Sequence, residues 1–387
     1  MAEACRGDGW LWIGPSLGRD GLDAESAISL AAARWQRGLL AGLAAVGPTP
    51  LPVTYVPHRL WPNGKARIRE GAASLEPLER TVGYWNVPVL RERSIAHELT
   101  LAATDLLRGW GLPRVVVTYN VGRRVVSAAL TMRARLGVPW IAIVADVADG
   151  VEKRRQMEAM ASADGCVYLS WEAFLGAPGE NKLHLDGGVD RLPAGDEGFS
   201  EPGLIVYSGA LNEFGGLPLL LEAMRDSRLS GCRLVLTGRN PPAALCRVSR
   251  VGDRIEFAGT LSEEDLERLS KRAAVFVNPR PPEATASVWN FPSKVLEYLS
   301  YGKPTVSTWS PGLAPEYRDV LVVAREGSAS EVARSVMLAL RMSNEERAIL
   351  RGRICSFLAE GRTWERQAAR LADWVSGLWP TVRRHGR

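Results

Sequence analysis

The residues whose types and spacing suggest chemistry lie in one block, FVNPRPPEATASVWNFPSKVLEYLSYGKPTVST (276–308). A predicted strand ends just before Arg280, which puts this guanidinium at a strand's carboxyl end, the edge where parallel sheets bind ligands. A predicted helix that opens at 291–293 contains Lys294. The amides at a helix start are free and carry the positive end of the dipole, and two cations accompany them here. This pattern predicts a site for a diphosphate.

The same predicted helix carries Glu297, one turn after Ser293. A carboxylate near a phosphate site cannot bind the phosphate, but it can accept hydrogen bonds from the two hydroxyls of a ribose. A surface helix with ordinary charges is the alternative, and each residue alone would favour it. The spacing of Arg280, Lys294 and Glu297 within one strand–loop–helix unit favours the functional interpretation.

Motifs of several other reaction classes are absent. The glycines that follow the first predicted strand, WLWIG (10–14), do not form GxGxxG, and no Walker GxxxxGK[ST] occurs. The turn around Gly18 offers backbone amides to an anion, and a plain tight turn is an equal alternative. GxSxG, HExxH and paired Cys/His arrangements are also absent, which disfavours a hydrolase or a metalloprotease.

Composition limits the class of protein. The 387 residues carry 48 Lys+Arg and 43 Asp+Glu, a net charge of +5, and 46% are hydrophobic. The length predicts two domains, and the composition excludes disordered, collagen-like, coiled-coil and small disulfide-rich chains. No apolar run approaches the roughly 20 residues of a membrane span, and the run near the start is too short for a signal peptide. Five cysteines without a CxxC pair predict reduced thiols in a cytoplasmic protein and argue against a zinc site.

The positive charge is concentrated in residues 51–150, which carry 13 Lys+Arg and 8 Asp+Glu. A solvated face explains so small an excess. An anionic partner, either a phosphorylated acceptor or a membrane surface, is the alternative, and Trp61 among the basic residues of 58–70 suits an interfacial loop. Nucleic acid is not expected, because no recognised binding module accompanies the basic residues.

Strand-like and helix-like segments alternate along the chain and form the scaffold that must position these groups. Buried strands are predicted at 10–14, 51–56, 114–119, 140–145, 165–170, 203–209, 233–238, 254–259, 274–279, 304–308 and 320–324. Helical periodicity occupies 24–46, 95–110, 122–137 and most of 328–380. Alternation of this kind predicts an α/β fold with parallel sheets covered by helices. It is interrupted only at 186–203, so we expect two doubly wound domains with the active site in the cleft between them.

The second half of the chain resembles a known family. NPR (278–280), FPSKVLEYLSYGKPTVST (291–308) and PGLAPEY (311–317) are similar to the donor-side segment of family 4 glycosyltransferases, in the subset that has NPR and FPSK. Further matches to the same domain lie at 203–224, 233–240 and 253–279. The resemblance of the first half is weak.

The resemblance implies the GT-B fold, with two Rossmann-like domains that face each other across a cleft. The acceptor-binding domain would occupy 1–195 and the nucleotide-sugar domain 196–362. RTWERQAARLADWV looks like the helix of this fold that crosses back to the first domain, and it falls in the remaining 363–387.

The resemblance also implies roles for single residues. The family has a Glu-x7-Glu pair at this helix start; Glu297 matches the second, ribose-binding position, and Trp289 takes the first. The usual Arg and Lys that grip the diphosphate align with Ala210 and Gly215, so we assign that role to Arg280 and Lys294. Further donor-side candidates are Phe291, Ser293, Gly209 and Arg239.

In the first domain, family members carry a His or Asp near the sugar, and Asp146 stands at that strand end with Asp149 as the alternative. Helix capping by either aspartate is an equal interpretation. Gly18, Asn120 and Asp149 are the acceptor-side candidates.

The function expected from these residues is retaining transfer of a hexose-like sugar from a nucleoside diphosphate, with UDP or GDP expected, to an acceptor hydroxyl. The acceptor would be a polysaccharide intermediate, a lipid-linked intermediate or a natural product. The resemblance implies a front-face mechanism. No metal or other cofactor is expected, because no DxD stands in a suitable loop and the basic groups can take the metal's role. The cysteines indicate a cytoplasmic protein, and the basic residues of 51–150 leave peripheral membrane contact open. A silent sugar-nucleotide-binding protein, suggested by Trp289, and a nucleotide-sugar 2-epimerase are the competing hypotheses, and a pyridoxal-phosphate phosphorylase ranks last.

Overall fold

A computed structural model describes residues 8–18, 29–70, 79–194, 200–238, 254–281 and 288–379. The chain divides into two compact units. The first unit contains Met1–Gly188 together with Trp364–Arg387, and the second contains Val189–Thr363.

The first unit is built on a parallel sheet. The strands of this unit are β1 (Gly9–Pro15), β2 (Thr49–Tyr55), β3 (Arg67–Ile68), β4 (Arg80–Val82), β5 (Tyr84–Trp85), β6 (Val115–Tyr119), β7 (Trp140–Val144), β8 (Gly165–Tyr168) and β9 (Lys182–His184). Among the described residues, seven of them form one sheet in the order β4-β2-β1-β6-β7-β8-β9, and β3 pairs with β5 in a separate antiparallel ribbon. Every residue of β6 and β7 is buried, as expected of strands covered by helices on both faces.

Helices α1 (Leu30–Val46), α2 (Arg91–Trp110), α3 (Arg123–Leu136), α4 (Val151–Ser162), α5 (Trp171–Gly176) and α11 (Trp364–Leu378) belong to this unit. Helix α11 returns from the second unit and packs on α1, where the indole rings of Trp364 and Trp35 meet edge to face with centroids 6.1 Å apart. The predicted return of the C-terminal helix is confirmed. Helix α4 was not predicted, because its buried side is narrow and contains only Gln156 and Met160.

The second unit contains another parallel sheet. Its strands are β10 (Leu204–Ser208), β11 (Arg233–Thr237), β12 (Ile255–Phe257), β13 (Val275–Asn278), β14 (Thr305–Thr308) and β15 (Val322–Ala324). In the described part of the chain they follow the order β12-β11-β10-β13-β14-β15. The helices are α6 (Leu217–Ala223), α7 (Glu263–Arg272), α8 (Lys294–Leu299), α9 (Ala329–Arg341) and α10 (Asn344–Gly361). The predicted α/β fold of two doubly wound Rossmann-like domains is confirmed.

The units separate at Gly188/Val189, seven residues before the boundary placed at 195/196 in the sequence. Val189 already belongs to the second unit because it forms a parallel bridge with Thr363, and its amide donates to the Arg362 carbonyl (2.8 Å). This pairing joins the two segments in which the chain passes from one unit to the other. No periodicity in the sequence indicates it.

The described part of the chain contains no helix that is both long and apolar enough to cross a membrane.

Candidate functional site

The centre of the second unit's sheet brings together the ends of two strands that are distant in sequence. Strand order reverses between β10 and β13, which are direct neighbours, so Gly209 and Arg280 follow adjacent carboxyl ends. Such a reversal leaves a crevice at that edge of an open sheet, because the flanking helices diverge to opposite faces. The predicted site residues of this unit therefore surround a position where this kind of fold binds ligands.

Lys294 enters this site from the first position of α8. Its Nζ lies 2.9 Å from Tyr207 Oη and 4.1 Å from the centroid of the Tyr207 ring. The Tyr207 hydroxyl accepts from the ammonium and donates to the carbonyl of Ala210 (2.6 Å). Tyr207 therefore fixes where the ammonium stands.

The environment of Lys294 disfavours its charge. Burial lowers the pKa of Lys294 to about 7, repulsion from Arg280 adds to that shift, and the Glu297 carboxylate partly offsets it. Near neutral pH the amine is therefore only partly protonated. An anion placed between the two cations would raise this pKa again, so the site favours a negatively charged ligand.

Arg280 is held by apolar contact and by the backbone. The residue is only 8% exposed, and its guanidinium carbon lies 4.0 Å from the centroid of the Phe214 ring. Its Nη1 is 3.4 Å from the carbonyl oxygen of Asn290, and its own carbonyl accepts from the hydroxyl of Thr308. The planar guanidinium can also donate to phosphate oxygens in pairs, which is the geometry that binds this group well.

Helix α8 is anchored to the end of β10 by Tyr298. The Ser208 amide donates to Tyr298 Oη (2.8 Å), and that hydroxyl donates to the Ser208 carbonyl (3.0 Å). The Tyr298 ring stacks on Phe276 of β13 with centroids 4.5 Å apart and planes inclined by 8°. This anchor holds Lys294 and Glu297, one helical turn apart, beside the strand ends.

Two small residues make room for this arrangement. A Cβ on Gly209, whose φ is 149°, would lie 2.6 Å from Lys294 Nζ. A Cβ on Gly215 would overlap the Tyr207 hydroxyl. The space beside Gly215 is thus occupied by the Ala210 carbonyl oxygen and the Tyr207 hydroxyl.

The other donor-side candidates occupy different environments. Phe291 is buried and packs on Tyr317 with ring centroids 5.8 Å apart, whereas Ser293 is exposed and its side chain does not cap α8. Trp289 is half-buried. Arg239 lies outside the described residues.

In the first unit, the candidates lie at the corresponding reversal between β1 and β6. Asn120 follows β6 with φ 65°, and its Oδ1 accepts from the amides of Ala145 (2.9 Å) and Asp146 (3.0 Å). Asp146 is exposed at the end of β7. The structure thus brings Asn120 and Asp146 together.

Gly18 and Asp149 complete the acceptor-side candidates. The Gly18 amide donates to Ser16 Oγ (3.2 Å) three residues after β1, and Asp149 is exposed. The capping residue of α4 is Gly150, so the alternative that Asp146 or Asp149 caps this helix is wrong.

The Asn120 side chain should control the order of the β7 loop. Asn120→Ala removes both hydrogen bonds and places an alanine in the left-handed region of φ and ψ. We expect the native state to lose about 1–3 kcal/mol of stability. We expect faster hydrogen exchange at the amides of Ala145 and Asp146. Asn120→Asp keeps the acceptor oxygen and should protect these two amides. Asn120→Gly loses the acceptor but tolerates the left-handed conformation, so its exchange rates should lie between those of the aspartate and alanine variants. Unchanged exchange in Asn120→Ala would contradict the assigned role.

Sequence reasoning missed three residues that shape the second unit's site: Tyr207, Phe214 and Tyr298. Tyr207 and Tyr298 are buried within elements that read as ordinary core, and Phe214 lies 66 positions before Arg280. No local motif indicates these contacts. Only the position of Tyr207, two residues before the strand-end glycine, offered a clue.

Comparison with known proteins agrees with the fold. Residues 202–341 match the family model described as glycosyl transferases group 1. No curated protein matches the chain.

Several solved structures share the fold over nearly the whole chain. Sucrose-phosphate synthase from Thermosynechococcus elongatus has a TM-score of 0.68 at 16% identity, covering 95% of this chain and 98% of that one. Anabaena HepE in complex with UDP has a TM-score of 0.63 at 11% identity, covering 95% and 99%. The UDP-forming α,α-trehalose-phosphate synthase from Burkholderia xenovorans, in complex with glucose-6-phosphate, has a TM-score of 0.64 at 11% identity, covering 94% and 99%. Residues 202–341 thus match a glycosyl transferase group 1 domain, and the whole chain shares the GT-B fold, in agreement with the predicted class, a glycosyltransferase.

Proposed function

We propose that this protein transfers a hexose-like sugar from a nucleoside-diphosphate sugar to an acceptor hydroxyl, with retention of anomeric configuration. It would belong to the family 4 subset with NPR and FPSK. The donor would bind the second unit and the acceptor the first. The observation that carries the proposal is that two cationic side chains, Lys294 and Arg280, lie together beside the adjacent carboxyl ends of β10 and β13. Burial disfavours the charge of Lys294, and a bound anion would stabilise it.

This pairing suits a diphosphate leaving group. As the bond to the sugar breaks, the sugar becomes oxocarbenium-like and negative charge grows on the diphosphate. Fixed cations stabilise that charge more in the transition state than in the ground state, which is the condition for catalysis. They also supply the charge that a divalent metal would otherwise provide, so the proposal includes no metal and no other cofactor.

The remaining donor contacts follow from the positions along α8 and the neighbouring strand ends. Glu297 would accept from the ribose hydroxyls one turn beyond Lys294, with Gly209, Trp289, Phe291, Ser293 and Arg239 as further donor-side residues. UDP fits the name or bound ligand of two structural neighbours, HepE and the UDP-forming synthase, and GDP is the alternative.

On the acceptor side, no protein nucleophile is required in a front-face transfer, because the departing phosphate takes the acceptor's proton. Asp146, positioned by Asn120, would contact the sugar or the acceptor, with Gly18 and Asp149 nearby in the same unit's loops. A cytoplasmic protein, in peripheral contact with a membrane where the acceptor is lipid-linked, fits this proposal.

The proposal is tested by thermal unfolding of the purified protein with UDP, GDP, ADP, dTDP and CDP, each alone and attached to common sugars. A ligand present at 100 times its dissociation constant stabilises the native state by about 2.7 kcal/mol. We expect one nucleoside diphosphate to stabilise the parent protein, and we expect Lys294→Met to lose this stabilisation. A response that is unchanged in Lys294→Met would place the nucleotide elsewhere, and no response to any nucleotide would contradict the proposal.

The competing hypothesis of a silent sugar-nucleotide-binding protein rests on Trp289, which stands where the family pattern has its first glutamate. Such a protein would bind the nucleotide sugar but neither hydrolyse nor transfer the sugar. A nucleotide-sugar 2-epimerase would instead convert the donor without an acceptor. Product analysis by mass spectrometry, with and without candidate acceptors, separates the three.

Gly209 offers a direct test of the site's geometry. In Gly209→Ala the new Cβ would meet Lys294 Nζ at 2.6 Å and force the ammonium away from its position. Loss of one charge-assisted contact should weaken nucleotide binding by about tenfold or more. The control for the added methyl group is Gly231→Ala in the same unit, where a Cβ meets no described atom within 4 Å. Equal affinities of the two variants, measured by calorimetry, would contradict the predicted contact with Lys294.

A further inference from the structure

The first unit contains a pocket in which three of the seven lining residues are arginines. It has a volume of about 370 Å³, and its charged lining comes from Arg91, Arg93, Glu92 and Arg123. The first three open helix α2, and Arg123 opens α3 four residues after the end of β6. The pocket therefore lies toward the carboxyl ends of this unit's parallel strands, where such sheets bind ligands.

The described residues do not neutralise the positive charge of this pocket. Glu92, its acidic residue, is engaged by Arg124, whose Nε and Nη2 lie 3.1 and 2.9 Å from the two carboxylate oxygens. Within the described residues, the side chains of Arg93 and Arg123 take part in no ion pair and no hydrogen bond. Together with Arg91, these two residues leave three guanidinium charges for a ligand.

The third guanidinium, that of Arg91, is partly used by the protein. Its Nη2 donates to the carbonyl of His58 (3.1 Å), which fixes its orientation. Its Nε is buried and has no hydrogen-bond partner among the residues that the structure describes. A donor in that condition costs free energy unless a ligand or water supplies an acceptor.

The position of these arginines in their helices is also unfavourable without an anion. Cations destabilise a helix N-terminus because the dipole is positive there. The residues that precede the two helices, Leu90 and Gly122, provide no side-chain cap. An anion in the pocket would meet three guanidinium groups and relieve this repulsion.

Apolar side chains stand at the same pocket and beside it. Leu60 and Val89 line it, and Val89 is 86% exposed with a φ of 68°. The adjoining Trp61 and Leu90 are 49% and 51% exposed. A β-branched residue in the left-handed region is rare, and such outliers concentrate at ligand-binding loops. The lining thus combines strong anion donors with an apolar rim.

We propose that this pocket binds a phosphoryl group of the acceptor, through Arg91, Arg93 and Arg123. The inference rests on the proposed sugar transfer, since it names the acceptor class of that reaction. The phosphoryl group comes either from a soluble phosphate ester or from an anionic lipid headgroup, and the apolar rim is the reason to test the second source.

The test uses the full chain and the double variant Arg93→Ala/Arg123→Ala, in which both replaced residues are exposed and form no hydrogen bond or ion pair with any described residue. The control is Arg135→Ala, an exposed arginine at the other end of α3. Two probes separate the sources: glycerol 3-phosphate measured by calorimetry, and phosphatidylglycerol vesicles measured by co-sedimentation against phosphatidylcholine vesicles.

We expect one probe to bind the parent protein and Arg135→Ala equally, and to lose about tenfold affinity for each arginine removed in the double variant. Binding of glycerol 3-phosphate identifies a soluble acceptor, and binding of the anionic vesicles alone identifies a lipid. Absence of binding by both probes, or equal binding by the double variant, would overturn the inference.

Nucleotide binding is measured in the same samples. Because the donor site belongs to the second unit, the double variant should bind the nucleotide as the parent does. Loss of phosphate binding with nucleotide binding intact supports this inference. Normal phosphate binding without any nucleotide response would refute the proposed transfer and leave the pocket standing.

Discussion

Replacing Lys294 by methionine is expected to lower turnover by about 10²–10³-fold, the usual cost of removing one preorganised group that stabilises developing negative charge. Lys294 Nζ is held 2.9 Å from Tyr207 Oη in the site that it shares with Arg280. Methionine keeps the length and apolar stem of lysine, so packing against Tyr207 survives while the charge is lost. Initial rates at saturating donor, measured by release of the nucleoside diphosphate, give the effect.

The stability of this variant distinguishes loss of charge from loss of fold. The pKa of Lys294 is lowered in the folded protein to about 7, below its value in the unfolded chain. Protonated Lys294 therefore penalises the folded state most at and below pH 7, and the penalty fades as pH rises toward the unfolded pKa. Lys294→Met removes the penalty, so its thermal midpoint at pH 7 should equal or exceed that of the parent.

The control is Lys271→Met in the same unit, an exposed lysine that pairs with Glu267 (2.9 Å) on the helix that precedes the amino end of β13. Its turnover should match that of the parent. Unchanged turnover in Lys294→Met would refute the assignment of Lys294 to the diphosphate.

The second expected result is that the affinity for the donor depends on pH. The titration of Lys294 explains this dependence. The diphosphate of a nucleotide sugar is fully ionised from pH 6 to 9, so the ligand contributes no titration. In the free protein Lys294 titrates at about 7, and a bound diphosphate favours its charged form and raises that pKa. Between the two pKa values binding takes up one proton, and linkage makes the dissociation constant rise about tenfold per pH unit above 7.

Calorimetry over pH 6–9, repeated in buffers of different ionisation enthalpy, measures both the affinity and the proton uptake. Lys294→Arg is the matched control, because a guanidinium stays protonated throughout this range. Its affinity should be independent of pH, and that of Lys294→Met should be weak and also independent of pH. A parent affinity that is flat from pH 7 to 9 would contradict the inferred titration of Lys294.

Much of the fold could be predicted from local sequence. Apolar, β-branched runs such as VVVTY in β6 and WIAIV in β7 are buried on both faces, and their alternation with helical periods dictates a parallel α/β architecture. Helix α4 was missed because its buried stripe is only two residues wide. The units divide seven residues before the predicted boundary, and the pairing there joins Val189 with Thr363, which are far apart in the chain.

The candidate site was predictable where its parts are neighbours in sequence. Arg280, Lys294 and Glu297 belong to one strand–loop–helix unit, so their chemistry could be interpreted from spacing alone. Tyr207 could not be found in this way, because its contact with Lys294 spans 87 positions. The arginines of the first unit's pocket were visible only as a small charge excess over residues 51–150.

The sequence by itself determined the types and order of the elements and the placement of a basic residue at a strand end before a short helix. It did so because periodicity and strand ends are local properties of the chain. Only the tertiary structure decided that Lys294 is buried against Tyr207 near Arg280, and that Arg91 and Arg123 open into one pocket. The burial of a side chain, its pKa and its distance from other charges depend on which distant segments of the chain come into contact. Those contacts are set by the packing of the sheets and helices.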